Sequence, residues 1–162
     1  MDQLFAPPGE SWQPVSPKLM SLRRLVLAIT VVPMTAIAAF GLWFWLEAWG
    51  VGIAVFLGVV ATVWALLLIP RNWRAWGYAE RDDDLLVTRG VMFRALTVVP
   101  YGRMQFVDVS SGPLERRYGL ATVQLHTASP ATDAKIPGLP AAEAARLRDR
   151  LSALGEAQAA GL

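Results

Sequence analysis

His126 is the only histidine in this chain, and there is no cysteine at all. That pair of facts excludes a Cys-His nucleophile and any zinc site built from several histidines or thiolates. His126 also falls on the outward-facing set of an alternating strand, where it reads as a surface residue. Glu80 with Asp82, Asp83 and Asp84 forms the densest group of carboxylates. Three carboxylates can hold a divalent cation. Adjacent residues on extended chain point different ways, however, so this run is expected to be a solvated turn. Ser110 and Ser111 have no base near them in sequence, and no glycine-rich stretch has the spacing of a phosphate-binding loop. The sequence thus offers no catalytic constellation, no cofactor-binding site and no metal site, and an enzyme is the last reading to adopt.

The remaining residues with chemistry to offer are cationic. Arg94, Arg103, Arg116 and Arg117, with Tyr118 beside the last pair, would form a lipid- or partner-binding patch if they came together at a membrane surface. Each cation near an anionic leaflet contributes on the order of 1 kcal/mol. In the plainer arrangement Leu114 and Leu120 bury the turn, and the arginines face water or pair with Glu115 and Asp108. The formal net charge is only +2, so no broad basic face exists for nucleic acid.

The elements that must carry these groups divide the chain in two. Apolar residues make up 54% and charged residues 17%, and the apolar excess is concentrated. Leu25 to Leu46 and Val51 to Pro70 contain no charged side chain. Each reaches the roughly 20 residues needed to cross the hydrocarbon core. Glu47 to Gly50 join them, a link short enough to force an antiparallel hairpin over residues 25–70. Lys18, Arg23 and Arg24 precede the pair, Arg71 and Arg74 follow it, and the link holds no cation. The positive-inside rule then places both termini in the cytoplasm. Trp43, Trp45 and Trp49 mark one interface, and Trp73, Trp76 and Tyr78 the other. A cleaved signal peptide ending near Ala38 fits less well, because the apolar run is too long and its cations lie far from Met1. Pro33 is expected to kink the first helix.

Gly50, Ala54, Gly58 and Thr62 recur at four-residue spacing on the second helix. Small residues on one face admit close approach by another helix. That neighbour is either the first helix, near Thr35 and Ala39, or a partner membrane protein. No ionisable residue lies within either run, which argues against a proton relay or transport pathway. Residues 1–24 hold several prolines and no periodic pattern, and are expected to be extended, loosely ordered chain, with Trp12 resting on the membrane or on the domain that follows.

Residues 78–155 read as a small, mostly β domain. Strands are expected over 85–89, 91–99, 104–109 and 120–127, with a short edge strand over 135–137. Glycine at Gly90 and Pro100-Tyr101-Gly102 punctuate them. Val91, Met104, Val107, Val123 and Leu125 form the expected core, while Thr122, Gln124 and His126 face solvent. From Ala141 the period turns helical, and Ala144, Leu147, Leu151 and Leu154 share one face that would close the sheet. Gly155 is expected to end this helix, leaving 156–162 as a frayed tail.

The order of motifs across this domain resembles a known family. Arg89-Gly90-Val91 is followed by Val99-Pro100-Tyr101-Gly102-Arg103-Met104-Gln105. Gly112-Pro113-Leu114-Glu115-Arg116-Arg117-Tyr118-Gly119-Leu120-Ala121-Thr122-Val123 and Ile136-Pro137-Gly138-Leu139 come after. This series is similar to the membrane-anchored bacterial pleckstrin-homology-like proteins, the YdbS-like family, from Trp12 to Leu154. The resemblance implies a transmembrane α-helical hairpin joined to a mainly-β pleckstrin-homology-like barrel capped by a C-terminal helix. The strongly basic loop used by phosphoinositide-binding eukaryotic relatives is missing here, so headgroup binding does not follow from the likeness.

Three functions remain. The first is a non-enzymatic module in the cell membrane that presents its cytoplasmic β domain, by an edge strand or the groove beside the last helix, to another membrane or membrane-associated protein. The second is an accessory subunit of a larger membrane assembly, docked through its hairpin. The third is a sensor of anionic lipid headgroups.

Overall fold

In the computed structural model, Pro7, residues 9–128 and residues 132–160 are described, the last two without their side chains. Two compact units emerge: residues 20–71, and a second made of the segments on either side of them.

The first unit is helical. Helix α1 spans Lys18–Arg74 and contains a window of mean hydropathy 2.6. Ile37, Phe40, Phe44, Phe56 and Trp64 are all well exposed on it. A helix apolar around its whole circumference is suited to lipid rather than water. Its dihedrals leave the helical region at Glu47, with φ 48° and ψ −133°. A side-chain-bearing residue at positive φ carries a cost of about 1–3 kcal/mol, which surrounding structure must offset. The sequence places the break across Glu47 to Gly50; the backbone achieves it at Glu47. Pro33, expected to kink the chain, lies inside helix with helical dihedrals, and α1 continues beyond Pro70.

The parts of α1 before and after Glu47 touch. A Cβ on Gly58 would collide with the Thr35 hydroxyl, and one on Gly50 would stand 2.5 Å from the Leu42 carbonyl oxygen. In one continuous helix Thr35 and Gly58 would be about 35 Å apart. The close approach is made possible by small side chains, and Ala54 between the two glycines is buried.

The second unit is two antiparallel sheets and a helix. Strands β1 (Gln13–Pro14), β2 (Gly77–Glu80), β3 (Asp84–Arg89) and β4 (Ala95–Pro100) form one sheet in that order. Strands β5 (Met104–Ser110), β6 (Leu120–Thr127) and β7 (Ala134–Pro140) form the other. Helix α2 (Pro113–Arg117) links β5 to β6, and helix α3 (Ala141–Ala160) follows β7. The expected barrel is not closed by hydrogen bonds, because no strand pairing joins the two sheets among the described residues. At the crossing, Pro100 has no N–H to extend the ladder, and a 3-10 turn at Tyr101–Arg103 carries the chain from β4 to β5. Ala144, Leu147 and Leu151 are buried along α3, which packs on the 3-10 turn and on β5, β6 and β7.

Several expectations need correcting. Within the N-terminal stretch, residues 1–6 and 8 lie outside the described residues, but Gln13 and Pro14 are not loose chain: β1 pairs with β2, Gln13 opposite Tyr78 and Pro14 opposite Gly77, and helix already begins at Lys18. Tyr78, expected at the membrane interface, is 1% exposed within β2. Trp73 donates its indole N–H to the carbonyls of Val15 and Ser16, at 3.0 and 3.2 Å. Trp12 lies against Gly77. Val91 is exposed, since β4 begins only at Ala95, and Met104 and Val107 are half-buried; Val123 and Leu125 are buried as expected. Thr122, expected outside, is buried. Gly155, expected to end the last helix, lies within α3, which runs on to Ala160; a Cβ there would meet Met104 Cε and the Tyr101 carbonyl at 3.6 and 3.7 Å, ordinary contact distances.

Candidate interaction site

Strand β5 is an outer strand of its sheet, and α3 runs beside it. Between them lies a groove of about 390 Å³, with Met104, Phe106 and Leu151 as apolar lining and Gln105, Ser152 and Glu156 as polar lining. A register shift between Met104 and Phe106 marks a bulge in β5, and bulges re-aim side chains at sheet edges. Phe106 is more than half exposed. Its ring stacks on His126 with centroids 4.4 Å apart and planes at 25°.

His126 is therefore not the free surface residue that alternation predicts. Its Nδ1 lies 3.2 Å from Asp133 Oδ2, and Asp133 Oδ1 accepts the Thr127 N–H at 2.9 Å. The Thr127 N–H first, and the His126 ring second, hold the Asp133 carboxyl below the usual carboxylate range.

The arginines do not share one place. Arg94 lies between β3 and β4, and Arg103 precedes β5. They flank opposite ends of β4, a strand about 20 Å long. Arg116 and Arg117 sit together on α2, beyond the far end of β5 from Arg103, and Tyr118 closes α2 half-buried. Arg103, Arg116 and Arg117 are exposed. Glu115 is not their ion-pair partner. Its carboxylate accepts the Gly112 N–H at 2.8 Å and the Thr122 hydroxyl at 3.0 Å, which caps α2 and fastens it to β6.

The small-residue ladder lies in α1. Gly50 and Gly58 meet Leu42 and Thr35 of the same chain, Ala54 is buried, and Thr62 turns its hydroxyl back to the Gly58 carbonyl at 2.7 Å.

Of the acidic run, Asp82 and Asp83 are exposed, as a solvated turn requires. Glu80 is different: its side chain is 7% exposed and is paired with Arg146 and Arg150. Glu143 also binds Arg146 and accepts from the Tyr78 hydroxyl at 2.9 Å, a donor whose other acceptor is Gln13 Oε1 at 2.7 Å. Arg146 holds the Glu143 carboxyl low, while burial, with Glu143 second, pushes the Tyr78 phenol up. Tyr101 is also buried, donates to the Arg81 carbonyl at 2.9 Å, and is pushed up to about 12 chiefly by burial. No group of three metal-ligating side chains occurs among the described residues.

Sequence reasoning did not find Glu80, Arg146 and Arg150 as a unit. The available signal was the i, i+4 pair of arginines flanking the apolar stripe of α3, but its partner is far away in sequence. The motif glycines also acquire reasons. Gly138 has φ +72° and lies against Leu19, whose side-chain carbons stand 2.8 to 3.0 Å from the Cβ position; its carbonyl accepts the Ser16 N–H. Gly102 lies close to Gln158 of α3.

Comparison with known proteins agrees with this architecture. Residues 21–155 match the Bacterial PH domain family. The chain is also 30% identical over 149 residues to the UPF0699 transmembrane protein YdbS of Bacillus subtilis (strain 168), covering 91% of this chain and 92% of that protein. No solved structure matches significantly. A long apolar helix joined to two antiparallel sheets and a covering helix, with a family match across most of its length, makes this chain a membrane protein belonging to the Bacterial PH domain family.

Proposed function

We propose that this protein is a non-enzymatic, membrane-tethered interaction module. The two parts of α1 cross the bilayer as a hairpin, and both termini and the PH-like domain lie in the cytoplasm. Lys18, Arg23, Arg24, Arg71 and Arg74 flank the apolar runs, whereas the break carries Glu47; cations next to a span favour the cytoplasmic side. The domain presents the groove between β5 and α3 to another membrane or membrane-associated protein. The outer edge of β5, which pairs with no strand among the described residues, carries this reading. An edge strand offers backbone donors and acceptors, and a groove beside it selects side chains, which together suit an extended peptide added as a further strand. Contacts of the glycine ladder within α1 favour the domain over the hairpin as the docking element.

Two experiments test the two halves of this proposal. A reporter active only outside the cytoplasm, fused after Leu162, should give no signal; strong signal would reverse the topology. A photo-crosslinking residue at Gln105, in the groove, should form a discrete protein adduct in native membranes. The same residue at exposed Lys135 on β7 should not. Equal yields at both positions, or an adduct at Lys135 alone, would remove the groove from consideration.

A further inference from the structure

The link between β3 and β4 has an unusual composition for a turn meeting water. Arg89 and Ala95 are the last paired residues, so Gly90 to Arg94 reverse the chain. Such links are ordinarily rich in Gly, Asn, Asp and Ser; here the tip is Val91-Met92-Phe93. Met92 and Phe93 are each 84% exposed, more than any other large apolar residue described in the β unit. The tip is tightly made. Gly90 sits at φ +98°, and a Cβ there would collide with the Phe93 carbonyl oxygen, so only glycine lets the backbone close this way. A constrained turn that leaves three apolar side chains outside needs something to cover them.

Two independent observations identify the cover. The first is charge: Arg89 and Arg94 flank the tip, and no acidic residue occurs between Asp84 and Asp108. The second is register. Pro14 and Thr88 both pair with Gly77, and α1 lies in sequence between Pro14 and Gly77. The chain therefore leaves β1 for the membrane segment and returns to β2 at one end of the four-stranded sheet. The β3–β4 turn is at that same end. An apolar tip with cationic shoulders has the chemistry of an element that lies in the interface of an anionic bilayer.

We propose that Val91, Met92 and Phe93 insert into the headgroup–acyl boundary of the bilayer that α1 crosses, with Arg89 and Arg94 at the level of anionic headgroups. The wedge gives the PH-like domain a second attachment besides its covalent one and limits how it can turn. This depends on the protein being in a membrane and not on the groove having a partner, so crosslinking at Gln105 can fail without affecting it.

The absence of cysteine makes the test clean. The full chain carrying Phe93→Cys or Met92→Cys, each labelled with an environment-sensitive fluorophore, is placed in nanodiscs of phosphatidylcholine with and without phosphatidylglycerol. Lys135→Cys on β7 serves as the reference. Both turn labels should emit to the blue of the reference, be quenched by lipids brominated high in the acyl chain, and be shielded from aqueous acrylamide. The effect should be larger in the anionic discs and should shrink there with Arg89→Glu. A label at Val91→Cys should lose its lipid quenching when Met92→Asp and Phe93→Asp are added, showing that the native side chains and not the dye drive insertion. Turn labels as open to acrylamide as the reference would overturn the proposal. So would labels shielded from both quenchers, which would mean that a second copy of the chain covers the turn.

Discussion

Arg146 donates to Glu80 across 66 residues of sequence, at 2.5 Å, and the Glu80 side chain is 7% exposed. The contact joins α3 to β2. Arg150, one helical turn on, approaches the other Glu80 oxygen at 3.2 Å. A carboxylate removed from water needs such partners, because one left without them costs several kcal/mol.

That asymmetry predicts an order of effects. Arg146→Ala with Arg150→Ala strands the buried carboxylate and should destabilise the β unit by about 3–5 kcal/mol. Glu80→Gln leaves two arginines that are 42% and 50% exposed and can turn to water, so it should cost less. Thermal unfolding of the detergent-solubilised chain compares them; a larger loss for Glu80→Gln would show that the arginines, not the carboxylate, are the buried partners.

Gly138 and Gly119 allow backbone strain to be separated from crowding. Both have positive φ, +72° and +66°, but Leu19 fills the space beside Gly138 while nothing lies within 4 Å of the Cβ position at Gly119. Gly119→Ala should cost about 1–2 kcal/mol from conformation alone. Gly138→Ala should add an overpacking penalty of about 1–3 kcal/mol. Equal midpoints for the two variants would mean that Leu19 moves aside without cost.

In α1 the matching pair is Gly58 and Gly52. Gly58 touches Thr35, whereas Gly52 has open space around it. Gly58→Leu should hold the two parts of α1 apart and lower the temperature at which the solubilised chain aggregates; Gly52→Leu should leave it close to the parent. If both leucines behave alike, the ladder does not set the helix contact.

Asp133 gives a pH signature. Its carboxyl is held below the ordinary range by the Thr127 N–H and then by His126. A carboxylate with a depressed native pKa contributes stability above its unfolded value, near 3.9, and loses that contribution as pH falls through the native value. The parent should therefore be more stable than Asp133→Asn at neutral pH, and the gap should close in acid below pH 4. A gap that is constant from neutral pH through this acid window would assign the effect to shape rather than charge.

What the sequence alone determined was local. Two uncharged runs of spanning length, the flanking cations, the turn at Gly90 and the stripe of Ala144, Leu147 and Leu151 are all read within a few helical turns of chain, and burial of these three follows that stripe. Strands β5 and β6 were legible for the same reason. Tertiary structure decided the rest because it depends on pairings between distant segments. Strand β2 is buried at Gly77, Tyr78 and Ala79 in succession, and β3 at Leu85, Leu86 and Val87; when both faces are covered, period-2 alternation disappears. Residues Gln13 and Pro14 carry no strand pattern and become β1 only by meeting β2 across the inserted helix. Glu80 looked like part of a solvated acidic run until α3 delivered Arg146 and Arg150 to it. The groove at β5 exists only where that strand and α3 run side by side, and no window of local sequence contains both walls.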